Sequence, residues 1–309
     1  MGIAAAETII AWQSHEGPRI ARAGGHDIIQ CVMCGFRHIV PLPEPRAFEH
    51  TYRDVYARET SPGIPSLLGD DRNWSEIAHA DLLESFERLL GPSRRRLLDI
   101  GSGPGFFLRT AKARGWRVLG IEPSRTASAH ARSLGVEVAE GFFNVETAPG
   151  LGRFDAIQLN NVLEHVPYPT ETLLLARDLL EPGGVLCVNV PNDFSPFQVA
   201  ARVASGLPEW WVTPNRHLNY FDFDSVSDLL ARLDFEPVER TTSFPMEMFL
   251  LMGENYTGDP ALGRACHAKR RRFDLALDST GMKETRRAFY RALANAGFGR
   301  EAIVIAVKP

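Results

Sequence analysis

Apolar and polar positions follow no regular period up to about residue 50, where Pro41, Pro43 and Pro45 enforce extended or turning backbone. From 51 to 92 the spacing turns helical, most clearly in "IAHADLLESFERLL", and Gly91-Pro92 stops it. An alternation then begins. The runs "RRLLDI", "WRVLGIE", "VEVAEG", "FDAIQLN" and "VLCVNVP" are short and apolar, as buried strands are. Between them "PGFFLRTAKARG", "SRTASAHARSLG" and "TETLLLARDLLEPGG" carry the helical period. Further on, "DSVSDLLARL" reads as a helix, and "FEPVERT" and "EAIVIAVKP" as strands. The pattern predicts an α/β, doubly wound parallel sheet covered on both faces. It divides the chain into an N-terminal segment (1–50), a helical lid (51–92), a core (93–240) with an aromatic insertion (191–221), a helical insertion or cap (241–300) and a final core strand (301–309).

Composition narrows the function classes. At 309 residues and 44% hydrophobic, the chain buries a sizeable core. A formal charge of −4 gives no general pull toward nucleic acid. The runs Arg94–Arg96 and Lys269–Arg272 are short enough to be solvated helix faces or flanks. No apolar stretch reaches the roughly 18 residues of a membrane span. The start "MGIAAAETII" has no basic residue, and Glu7 interrupts its apolar run, so no signal peptide is read. Four scattered cysteines do not form a disulfide framework, and a reducing cytoplasm is the expected setting.

The stretch "LLDIGSGPGFFL" carries the first chemistry. Gly101, Gly103 and Gly105 follow an acid at a strand end, with Pro104 suited to the first turn of a helix. Open α/β sheets bind ligands outside the carboxyl ends of their strands. A dinucleotide fingerprint would place its third glycine where Phe106 stands, and no lysine follows as a phosphate loop requires. Asp99 disfavours pyrophosphate and suits a cationic group. Glu122, about twenty residues on in "GIEPS", is placed to accept the hydroxyls of a ribose. A nucleoside that bears an amino acid and no phosphate satisfies both acids, which points to S-adenosylmethionine.

Together "LLDIGSGPGFFL", "GIEPS", "NNVLEHVPYP" and "LLEPGGVLCVNVPND" resemble the class I SAM-dependent methyltransferases, near the ubiquinone-type and sugar methyltransferase branches, over about 95–240 plus the last strand. The resemblance implies a Rossmann-like seven-stranded sheet of order 3-2-1-4-5-7-6 with the last strand antiparallel. It also implies that Gly101, Ser102, Gly103 and Gly105 wrap the methionine part and that Glu122 takes the ribose. Phe142, Phe143 and Asn144 should then flank the adenine, although Asn144 stands where an acid is common. Asn160 and Asn161 would line the cleft, and Tyr52 and Tyr56 would close over the cofactor.

Methyl transfer asks the protein to align donor and acceptor, exclude water and, for some acceptors, remove a proton. His165, beside Glu164, and His217 are the candidate bases, with Tyr220 beside them; ordering a loop and bonding to backbone are their structural alternatives. Trp210, Trp211, Phe221 and Asn192 are expected to wall a small-molecule pocket. Cys31 and Cys34 form a C-x2-C knuckle similar to half of the zinc-binding region of some sugar C-methyltransferases. A structural zinc needs four ligands, so His15, His26 or His38 would have to complete it; a metal-free remnant is the alternative. The expected acceptor is sugar-derived or a secondary metabolite, methylated on C, N or O. Rivals are a nucleic-acid methyltransferase, a SAM-using enzyme that cyclises the aminobutyrate chain, and a non-enzymatic SAM-binding protein.

Overall fold

A computed structural model describes residues 15–41 and 71–309. Tyr52, Tyr56 and residues 51–70 of the expected lid lie outside the described residues. The core sheet has seven strands: β4 (Arg96–Ile100), β5 (Arg117–Glu122), β6 (Glu137–Glu140), β7 (Phe154–Asn160), β8 (Leu180–Pro191), β10 (Glu236–Thr241) and β11 (Glu301–Val307). Their order is β10-β11-β8-β7-β4-β5-β6. Numbered one to seven along the chain, this is the expected 3-2-1-4-5-7-6 order read from the other edge. Strand β11 runs antiparallel to both neighbours, and the β4, β5, β6, β7 and β8 pairs are parallel.

The strands alternate between two apolar layers because successive side chains point to opposite faces. Leu98, Ile157, Leu186, Val188 and Val304 pack under α4 (Pro169–Leu179) and α6 (Phe223–Arg232), through Leu173, Ala176, Val226 and Leu230. Their neighbours Leu97, Ala156, Val185, Cys187 and Ile305 face α1 (Asp71–Leu90) and α2 (Phe106–Ala113). Both layers are buried, and each fully buried Leu or Ile contributes about 1.5–3 kcal/mol. Cys187 is one of these apolar contacts, fully buried within β8.

Residues 15–41 depart from the irregular chain their sequence predicts. They form β1 (Arg19–Ala23), β2 (His26–Gln30) and β3 (Arg37–Val40), an antiparallel sheet completed by β9 (Asn219–Tyr220). Strands of four or five residues are too short to display a period, and β9 comes from some 180 residues away. The aromatic insertion packs on this sheet: Trp211, Val212, Leu218 and Tyr220 close over Ile28 and Ile39.

The region after β10 is helical, with α7 (Glu247–Leu251), α8 (Pro260–Ser279) and α9 (Lys283–Asn295). Asp259 caps α8 by accepting from the Ala261 and Leu262 N–H groups, and Pro260 occupies the first turn, where no N–H partner is needed. Helix α9 is clamped to α1 by Arg286–Asp81 (2.6 Å), Arg287–Asp81 and Arg287–Glu84 (both 2.7 Å). No helix among the described residues is long and apolar enough to cross a membrane.

Candidate functional site

The glycine loop sits at the carboxyl end of β4. Gly101 has φ 70°, and a Cβ there would stand 2.6 Å from a Val162 methyl. Gly105, at φ 82°, would place a Cβ 2.6 Å from that of Ala131. Gly105 thus makes the close packing that the dinucleotide fingerprint assigns to a glycine one position later, which is why Phe106 is tolerated.

Across the loop, β5 ends in Glu122, only 2% exposed. One carboxylate oxygen accepts the Gly103 N–H at 2.9 Å, and the other accepts the Ser124 N–H at 2.7 Å. Burial raises its pKa, and the two N–H groups oppose the shift. The carboxylate is thereby held in one orientation with lone pairs left on both oxygens. Asp99 is buried beneath the loop, and its Oδ1 has no hydrogen-bond partner among the described residues. Burial, with Glu122 nearby, pushes its pKa well up.

These elements bound a cavity of about 670 Å³, whose walls include Gly101, Ser102, Gly103, Glu122, Phe143 and Asn144. Asn160, Asn161 and His165 complete the wall on the β7 side, while Gly105 and Asp99 stand behind it. Asn144 uses its Oδ1 to accept the Glu146 and Thr147 N–H groups, so its amide closes the loop after β6. Here an asparagine does a turn's work where an acid was expected.

A second cavity of about 660 Å³ lies against the first and shares Asn160 and Asn161 with it. Its lining comes from α1, β10, α8 and α9, including His79, Gln158, Glu239, Arg286 and Tyr290. Sequence reasoning missed these residues. His79 occupies an ordinary helical position, and only the fold reveals which surface that face looks onto. Burial lowers the His79 pKa to about 4, so the ring is neutral near pH 7.

The aromatic insertion lies elsewhere. Trp210, Trp211, Tyr220 and Phe221 line neither cavity; Tyr220 and Phe221 are fully buried in packing. Asn192 is also buried, donating to the Gly297 and Gly299 carbonyls at 3.1 Å, and so ties the end of β8 to the turn before β11. His217 stands behind His165, with ring centroids 5.0 Å apart, and burial lowers its pKa to about 3. His165 donates from Nδ1 to the Arg216 carbonyl (2.7 Å), which leaves Nε2 as its basic nitrogen. Among the described residues, two groups bring potential metal donors within 4.8 Å of one another: Glu164, His165 and His217, and His15, Cys31, Cys34 and His38.

A Rossmann-like sheet of this order, with a glycine loop on its first strand and a buried acid at the end of its second, defines the class I methyltransferase architecture. The chain belongs to the methyltransferase-domain family, whose model matches residues 74–240, more than half of the sequence. Among curated relatives, a ubiquinone biosynthesis O-methyltransferase of Caulobacter sp. (strain K31) is 33% identical over 150 residues. That match covers 47% of this chain and 59% of the relative, less than two thirds of its length. The fold is similar to that of magnesium protoporphyrin IX methyltransferase from Synechocystis PCC 6803 (TM-score 0.51, 12% identity, 85% of this chain and 100% of that one). It is also similar to 1,6-didemethyltoxoflavin-N1-methyltransferase from Burkholderia thailandensis (TM-score 0.50, 17% identity, 95% of this chain and 99% of that one). At such identities the likeness is one of fold.

Proposed function

We propose that the protein is a SAM-dependent methyltransferase that acts on a small molecule, with the cofactor in the first cavity and the acceptor in the second. The observation that carries this reading is Glu122: a buried carboxylate, oriented by two backbone N–H groups, in one wall with a glycine loop that no Cβ could replace. SAM supplies an electrophilic methyl on a sulfonium. Gly101, Ser102 and Gly103 admit its amino-acid end, Glu122 accepts its ribose hydroxyls, and Phe143 and Asn144 flank the base. Asn160 and Asn161, common to both cavities, mark where donor and acceptor meet.

The relatives' name favours an oxygen acceptor. For that chemistry the chain offers two imidazoles, His79, neutral near pH 7, on the acceptor side and His165 in the cofactor wall, with His217 packed behind the latter. Tyr220, Trp210, Trp211, Phe221 and Asn192 are assigned to packing. Helices α8 and α9 cap the acceptor cavity. The negative net charge favours a small acceptor over nucleic acid. The four free cysteines suit a cytoplasmic setting. Cys31 and Cys34, outside both cavities, are assigned to a structural zinc.

Calorimetric titration with S-adenosylhomocysteine, with NAD as the control, tests the reading. Micromolar binding of the first and none of the second is expected. No binding of S-adenosylhomocysteine would overturn it. Methylthioadenosine as the product, instead of S-adenosylhomocysteine, would replace methyl transfer with cyclisation.

A further inference from the structure

Four side chains of the N-terminal sheet converge at a distance from both cavities. The Cys31–Cys34 knuckle turns through Gly35 (φ 76°), whose N–H donates to the Cys31 carbonyl at 3.0 Å, while the Cys31 N–H returns to the Phe36 carbonyl at 3.2 Å. The Cys34 N–H lies 3.4 Å from the Cys31 sulfur. His15 Nδ1 stands 3.6 Å from Cys31 Sγ, 3.3 Å from Cys34 Sγ and 3.1 Å from His38 Nε2. Donors arranged tetrahedrally around zinc, at bonds of about 2.0–2.3 Å, stand about 3.3–3.8 Å apart. The three spacings from His15 fall in that range or within a few tenths of an ångström of it, and all four donors lie within 4.8 Å of one another.

His38 is oriented as a metal-bound imidazole is. Its Nδ1 donates to the Ile39 carbonyl at 3.0 Å, which fixes the lone pair on Nε2, toward the sulfurs. His26 is excluded, because its ring lies outside the group. Two thiolates and two imidazoles with no acidic oxygen favour zinc over calcium or magnesium.

We infer that His15, Cys31, Cys34 and His38 bind one zinc ion, and that this ion braces the wall of the first cavity. The path is short. His38 pairs with Asn219 across β3 and β9, and the Ile39 N–H donates to the Leu218 carbonyl at 3.0 Å. The Leu218 and Asn219 N–H groups both donate to the Glu164 carbonyl (2.7 and 3.1 Å). The Asn219 amide donates to the Leu163 and Val166 carbonyls at 2.8 Å. His165 and Val166 are cavity wall. On the other side of the knuckle, Arg232 of α6 bonds the Cys34 carbonyl. As Zn²⁺ enters, the two thiols release their protons to solvent and both sulfurs bind as thiolates. The zinc site itself stands independently of the methyltransferase reading.

Metal analysis of the full chain, cobalt replacement and hydrogen exchange test both parts. About one zinc per chain is expected, and the Co²⁺ form should show the intense visible bands and sulfur charge-transfer absorption of a tetrahedral thiolate site. Cys31→Ser and His38→Gln should each lower bound zinc at least tenfold, whereas His26→Gln should retain it. Chelation should speed exchange of the Leu218 and Asn219 amides at least tenfold while leaving the β4 amides unchanged. Failure of the wild-type chain to take up zinc, the weak bands of octahedral cobalt, or a Cys31–Cys34 disulfide in reduced protein would each overturn the site. Unchanged exchange at Leu218 and Asn219 after complete zinc removal would overturn the bracing role.

Discussion

Glu122 combines burial with two donated backbone N–H groups, so its orientation is set before any ligand arrives. Glu122→Ala should weaken S-adenosylhomocysteine binding by about 1.5–3 kcal/mol, tenfold or more, with an unchanged far-UV circular dichroism spectrum. Affinity within twofold of wild type would remove Glu122 from the ribose role. His217 makes a separate prediction. Its folded pKa of about 3 lies below the ordinary 6.5, so the unfolded chain takes up a proton that the folded chain refuses. Its contribution is therefore present above pH 6.5 and is lost as the pH falls toward 3. The stability difference between wild type and His217→Gln should shift by about 2 kcal/mol against the wild type between pH 7 and pH 5, as read from urea midpoints at each pH. A pH-independent difference would mean that the ring is protonated in the folded state. The place of Glu122 was legible in the sequence because the short apolar run before it ends in that acid, and the strand ends there too. His79 was not, since a helical histidine announces a face without announcing what the face encloses.

At the scale of elements, α9 is held to α1 by charge. Arg286 is 3% exposed and bonded to Asp81 and Asp278, so its loss leaves Asp81 in the second cavity's wall with Arg287 as its one remaining ion-pair partner among the described residues and opens a buried gap beside α1. Arg286→Ala should cost about 3 kcal/mol of stability, measured by urea denaturation, and should loosen acceptor binding more than cofactor binding. Equal losses in both would mean that the helix pair supports the whole sheet and not the cavity. A Cβ at position 105 tests the opposite rim: Gly105→Val should cost about 2–3 kcal/mol or more, because φ 82° and a 2.6 Å contact with Ala131 act together. The alternation of short strands and helices was readable from local periods, but "LLEPGG", read as the end of a helix, opens β8 at Leu180, and the insertion holds a helix at Pro196–Ser205 that its aromatic residues masked. The destination of the aromatic insertion was not readable. Trp211 and Tyr220 needed a surface to cover, and that surface, Ile28 and Ile39, belongs to strands too short to leave a pattern.

For the whole molecule, a ligand that spans the loops after β4, β5, β6 and β7 should couple them. S-adenosylhomocysteine at about 100 times its dissociation constant should add about 2.7 kcal/mol to stability and raise the thermal midpoint by roughly 5 °C. NAD should leave it unmoved, and a rise with NAD alone would return the glycine loop to a dinucleotide. One feature of the sheet bears on how the protein is made. Strand β11 fills the gap between β8 and β10, yet it begins 110 residues after β8 ends. At about 5–20 residues per second of synthesis, β8 waits roughly 5–20 s with a bare hydrogen-bonding edge. Through that interval β8, already paired with β7, keeps its outer backbone edge unpaired, and such an edge invites pairing with another chain until β11 closes it.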